Sequence, residues 1–131
     1  MNTILFTIAV LFVGMNVYTF FRHKTYRQTG FDGRFFSHLF VSLCGVLAGF
    51  AVIYYALSQN GVILVTSLES MTPVDPNWQN LLYFSGVTLL SIGFGDILPV
   101  GPARWFALIE AVIGILLPTV FFVKSIYKKE D

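Results

Sequence analysis

Charge is scarce in this chain and unevenly placed. Eight Lys and Arg and seven Asp and Glu are spread over 131 residues. None falls between Met1 and Phe21, between Phe35 and Leu68, or between Pro76 and Gly95. A soluble domain of this length needs far more polar surface, so a water-soluble globular fold is excluded. The net charge of +1 offers no basic face for nucleic acid. The one cysteine, Cys44, lies inside an apolar run; it excludes an internal disulfide framework and reads as a small buried apolar residue. Two histidines, His23 and His38, stand apart from any carboxylate cluster. With no metal-ligand set, nucleophile–base pair or phosphate-binding loop, the sequence points to no enzyme and no cofactor. No internal repeat or low-complexity segment is visible.

What the chain does have is apolar length: 56% of its residues are hydrophobic, and its mean hydropathy is +0.74. Asn2 to Phe21 is an uncharged run long enough to span a bilayer at about 20 residues. The basic residues follow it (Arg22, Lys24, Arg27, Arg34) instead of preceding it. That order predicts a retained anchor, not a cleaved signal. By the positive-inside rule the loop 22–34, with Gly30 and Gly33 as breakers, is cytoplasmic and the N-terminus outside. His23 and His38 flank this loop as interfacial residues. Phe35 to Leu57 is the second span, carrying Gly45 and Gly49 at the four-residue spacing that lets helix backbones approach. The segment 58–77 holds Glu69 and Asp75 but no Lys or Arg, as suits the external side. Within it Gly61 to Val65 is unexpectedly apolar for a loop. Ala103 to Val123 is the last span, and Lys124, Lys128 and Lys129 after it place the C-terminus in the cytoplasm.

Between the second and last spans, Trp78 to Leu90 is apolar but short. As a helix it is roughly 20 Å long, against a hydrocarbon core of about 30 Å, so it enters a membrane without crossing it. Asp75-Pro76 predicts its start. Its C-terminal end, with a partial negative charge, would favour a cation in a central cavity. Ser91-Ile92-Gly93-Phe94-Gly95-Asp96 follows, then a Pro/Gly turn at Pro99, Gly101 and Pro102. Irregular backbone at membrane depth is tolerated only where it is buried in protein or lines water. Together these features predict a re-entrant pore loop. Two further polar residues lie within spans: Asn16, a candidate for helix–helix hydrogen bonding, and Glu110. An ionisable residue inside a span is costly and suggests function; Glu110 is expected to hydrogen-bond behind the loop with Thr88 or Ser85.

Thr88-Leu89-Leu90-Ser91-Ile92-Gly93-Phe94-Gly95-Asp96 resembles the selectivity-filter signature of potassium channels, commonly T-x-x-T-V-G-Y-G-D. The Phe form is similar to filters of two-pore-domain potassium channels. The resemblance runs from about Trp78 to Val123, plus the helix before it. It implies an all-α membrane protein with three transmembrane helices, a re-entrant pore helix and a filter loop, assembled as a homotetramer in the plasma membrane. Residues 1–34 would be an added N-terminal helix and basic loop. Residues 35–131 would be the pore domain: outer helix 35–57, external loop 58–77, pore helix 78–90, filter 91–96 and inner helix 103–123. It further implies K+ bound by the carbonyls of Ser91, Ile92, Gly93 and Phe94 and by the Ser91 hydroxyl. Gly93 and Gly95 supply positive φ at alternate places, and the side chains of Ile92 and Phe94 turn away to brace the loop against the pore helix. Thr88, Asp96, Tyr83, Phe84 and Glu110 support the filter; Gly114, ten residues after Arg104, and Pro118 form a hinge.

Departures from the pattern qualify this. Tyr83-Phe84 stands where some relatives carry tryptophans that tether the filter Asp, and Val87 where some carry Glu. Asp96 is therefore expected to lack two partners, and the loop to be less rigid. A weakly selective monovalent cation channel is the competing reading. A non-conducting membrane anchor or accessory subunit leaves the short helix, the alternate glycines and the Arg104/Gly114 spacing unexplained together. No helix carries Arg at every third position, which speaks against a voltage sensor.

Overall fold

The computed structural model describes residues 3–22 and 33–127. His23, Lys24, Arg27 and Gly30 of the basic loop, and Lys128 and Lys129, lie outside the described residues. Helix α1 spans Thr3–Arg22, α2 Gly33–Ser58, α3 Trp78–Leu89 and α4 Ala103–Tyr127. Stretches of α1, α2 and α4 are each long and apolar enough to cross a membrane: Thr3–Arg22, Phe36–Ser58 and Ala103–Lys124. Helix α2 begins two residues before the expected Phe35. Gly33, read as a breaker, is its first residue. Helix α4 runs on to Tyr127, with Pro118 inside an uninterrupted helix.

Small residues set the α1–α2 contact. A Cβ at Gly45 would run into the Asn16 side chain, and one at Gly49 into Val13. The glycines thus make the groove into which α1 drops its side chains. Asn16 is held there, its Oδ1 accepting from Ser42 Oγ at 2.8 Å. Ring contacts continue the seam: Phe20 stacks on His38 at 5.9 Å, and Phe6 meets Phe106 of α4 edge-on at 5.6 Å. Cys44 faces away from the core and is exposed, contrary to its sequence reading as a buried residue.

Helix α3 lies between α2 and α4 and buries Leu81, Phe84, Ser85 and Leu89. Phe84 packs edge-on against Tyr54 at 5.1 Å. At the start of α3, Trp78 stacks on Tyr55 at 5.1 Å.

The fold is not purely helical. Two short strands, β1 (Leu64–Val65) and β2 (Leu98–Pro99), pair antiparallel with Leu64 opposite Pro99 and Val65 opposite Leu98. Val100 N donates to Ile63 O at 2.8 Å, and Val74 N to Leu64 O at 2.9 Å. This pairing accounts for the apolar run within 58–77: Ile63, Leu64 and Val65 are buried, and their backbone clamps the segment that follows the glycine-spaced loop.

The packing predicts that Gly49→Ala lowers thermal stability in detergent by about 1–3 kcal/mol through overpacking against Val13. Gly14→Ala, where a Cβ meets nothing, should be neutral or slightly stabilising.

Candidate functional site

Helix α3 is fixed at both ends. Its N-cap is Asn77, not Asp75: the Asn77 side chain accepts from Asn80 N at 2.9 Å. Asp75 contributes its carbonyl instead, accepting from Asn77 N and Asn80 Nδ2, each at 2.8 Å. At the other end Ser91 takes φ 57°. Its N–H donates to Thr88 O at 3.0 Å and that of Ile92 to Val87 O at 2.9 Å. This bond pair is the Schellman ending, which usually places Gly at the left-handed position. Leu90 N donates to Gly86 O at 3.0 Å. The carbonyls of Gly86, Val87 and Thr88 are thus already occupied by loop N–H groups, so the negative end of α3 is partly neutralised.

Beyond this cap the backbone alternates. Ser91, Gly93 and Gly95 have φ of 57°, 56° and 79°, whereas Ile92 and Phe94 between them keep negative φ. The two glycines stand where left-handed backbone excludes most side chains. Ser91, an L-residue in the same conformation, was not anticipated from the sequence. The side chains of Ile92 and Phe94, expected to brace against α3, are instead 49% and 66% exposed in the single chain.

Asp96 has a partner after all. Tyr83 OH donates to its Oδ2 at 2.8 Å, tying the far end of the loop back to the exposed side of α3. That hydrogen bond raises the Tyr83 phenol above its ordinary value. A tyrosine therefore supplies the tether expected to be missing with tryptophan.

Behind the loop, three helices meet at one carboxyl group. Glu110 of α4, Ser85 of α3 and Tyr54 of α2 are all fully buried. Tyr54 OH donates to Glu110 Oε2 at 2.6 Å. Ser85 Oγ contacts Glu110 Oε1 and stands 2.9 Å from the Leu47 carbonyl of α2. Of the two partners expected for Glu110, Ser85 is used; Thr88 is half-buried and serves the loop through its carbonyl. Tyr54 was not among the residues that the sequence singled out for the site. No local spacing pairs it with Glu110, which lies 56 residues on.

Gly114 lies where a Cβ would collide with the Leu89 carbonyl, so its lack of a side chain lets α4 approach the end of α3. Pro118, four residues on, has no N–H to give the Gly114 carbonyl. Thr119 Oγ1 donates to Ile115 O at 2.7 Å, and Arg104 Nε donates to Pro99 O at 3.3 Å.

Removing the tether with Tyr83→Phe should free the mouth of the loop without unfolding α3. The expected result is hydrogen–deuterium exchange at residues 94–98 that is faster by a factor of about two to ten. Unchanged exchange there would mean that the contact carries no load.

The comparisons with known proteins converge on the same part of the chain. A family model described as "Ion channel" matches residues 41–127, which include α3, the glycine-spaced loop and α4. Protein LctB of Bacillus caldotenax is 38% identical over 84 residues, 63% of this chain and 63% of the relative. Protein LctB of Geobacillus stearothermophilus is 38% identical over 87 residues, 65% of each. The match thus covers just under two thirds of the length of these relatives. No solved structure matches the chain significantly. A short helix wedged between two long ones, a loop of alternating backbone hand and a family match spanning both have one common meaning: the chain belongs to the ion channel family and is no enzyme.

Proposed function

We propose that this protein conducts K+ passively across the plasma membrane through a filter built from the backbone of Ser91 to Gly95. The alternation of φ sign along Ser91–Gly95 is the observation that carries this reading. In an ordinary strand, successive carbonyls face opposite ways. When left-handed residues alternate with right-handed ones, successive carbonyls turn toward one side. A row of such oxygens replaces the hydration shell that K+ sheds on entering. The carbonyls of Ser91, Ile92, Gly93 and Phe94 are the ligands in this reading, with the Ser91 hydroxyl at the inner end. Asp96, Tyr83, Phe84, Thr88 and Glu110 support the loop, and Gly114 with Pro118 forms the hinge of the inner helix.

One loop covers only a sector around an ion, so the reading requires a homotetramer with Ser91–Gly95 on the axis. The exposure of Leu90, Ile92 and Phe94 supports it, because the loop presents an apolar surface that a single chain leaves uncovered. The charge pattern supports an external N-terminus and a cytoplasmic C-terminus.

Purified protein in liposomes with a K+ gradient should show barium-sensitive cation flux, and cross-linking should stop at four chains. Bi-ionic reversal potentials should favour K+ over Na+. Equal permeability would establish the weakly selective channel instead, and absence of flux a non-conducting anchor.

A further inference from the structure

Three close oxygen contacts meet around Glu110, and a hydrogen bond needs one proton per contact. The contacts are Tyr54 OH to Oε2 at 2.6 Å, Ser85 Oγ to Oε1, and Ser85 Oγ to the Leu47 carbonyl at 2.9 Å. Tyr54 and Ser85 each own one hydroxyl proton, and a backbone carbonyl and an ionised carboxylate own none. With Glu110 ionised, two protons must serve three contacts. Ser85 then donates either to Glu110 or to Leu47 O, and lone pairs face each other across the remaining contact. Adding one proton to the carboxyl satisfies all three. We infer that Glu110 is held as a neutral carboxylic acid, the link in a directed chain that pins α3 to both of its flanking helices. The chain runs Tyr54 O–H to Oε2, Oε1–H to Ser85 Oγ, and Ser85 O–H to Leu47 O.

The surroundings favour the same state. The buried polar or charged residues among those described are Ser42, Ser85 and Glu110, so no buried cation stands by to offset a negative charge. From α2 the facing titratable group is Tyr54. On α3, Tyr83 is engaged with Asp96 at the exposed mouth. On α4, the guanidinium of Arg104 is directed to the Pro99 carbonyl. A bare carboxylate inside a spanning helix carries a large desolvation cost that a neutral acid escapes. The Leu47 carbonyl can accept from Ser85 as well as within its helix, because it has two lone pairs.

Glu110 is thus a positioning residue. It touches no ion, but it fixes the turn of α3 that precedes the Schellman cap. A glutamine reproduces the pattern: its amide N–H donates to Ser85 and its carbonyl oxygen accepts from Tyr54. An alanine removes both bonds and leaves Tyr54 OH without its acceptor.

Infrared spectroscopy of the full chain in bilayers at neutral pH tests the proton directly. The wild type minus Glu110→Gln difference should contain the C=O stretch of a protonated acid. Glutamate labelled with carbon-13 should shift the same band in the wild type, which gives the reading even if the variant folds poorly. A carboxylate stretch pair in place of the acid band overturns the inference. The consequence for positioning rests on the filter reading and is tested by flux: Glu110→Gln should retain K+ flux and tetramer, and Glu110→Ala should lose both. Loss of flux in a folded Glu110→Gln tetramer would also overturn it. Absence of flux from a wild type that shows the acid band would overturn conduction and leave the neutral acid standing.

Discussion

An α-helix leaves its last four carbonyls without partners of its own, and each one buried unpaired costs free energy comparable to a lost hydrogen bond. Most of what is unusual between Ser85 and Gly114 answers that constraint. The Gly86, Val87 and Thr88 carbonyls are filled by N–H groups of the loop that follows. The Leu89 carbonyl is shielded because α4 presents Gly114 to it. One turn back, Ser85 joins its helix to the Leu47 carbonyl and to Glu110. The end of α3 is therefore closed by contacts from the loop, α2 and α4 at once, and the loop leaves it along a single fixed path.

The far end of the same loop is held by different means. Beyond Gly95 the chain passes from exposed to half-buried, and there it is caught twice. Tyr83 holds Asp96 by a side chain, and β1 holds Leu98 to Val100 through the backbone. The side-chain bond is exposed and competes with water for both of its partners. The strand pairing buries Ile63, Leu64 and Val65 besides. At roughly 1.5–3 kcal/mol for each fully buried aliphatic side chain, the strand is the stronger anchor. The alternating residues 91–95 are thus suspended between a helix cap and a strand clamp, with the side chains of Ile92 and Phe94 largely exposed in the single chain. Such an arrangement specifies the backbone while leaving Ile92 and Phe94 available to whatever lies beyond the chain.

The sequence made the long helices and the short one legible because each depends on local pattern: uninterrupted apolar length and its absence. The loop was legible through Gly93 and Gly95, since positive φ leaves a mark in residue type. Contacts across elements left no such mark. Tyr54 looks like any aromatic near a membrane interface until α4 places Glu110 beside it. Tyr83 appeared to be a lost tether because its substitute bond depends on the height of Asp96 above α3, which no spacing reveals. The run Gly61 to Val65 had no reading because its partner strand lies some thirty residues on, in a segment of two residues too short to show alternation. Asp75-Pro76 misled by one turn chemistry competing with another. Asp75 gives its carbonyl to the start of the helix while Asn77 makes the cap.

Ser91 shows two demands meeting at one residue. As the left-handed residue of a Schellman ending it belongs to the position that glycine fills most easily, and an L-residue there carries a strain of about 1–2 kcal/mol. Glycine would relieve that strain, would keep both cap bonds, which use only backbone, and would preserve the alternation of φ through Gly95. Cap geometry alone therefore argues against serine. The hydroxyl is what serine adds, and Ser91 is an exposed residue at the point where α3 gives way to the loop. If the loop coordinates cations, an extra oxygen at its inner end offsets the strain through the ion. The conformation of this one residue thus binds the reading of the loop to the chemistry of its side chain, and it does so without reference to Gly93, Gly95 or the aromatic between them.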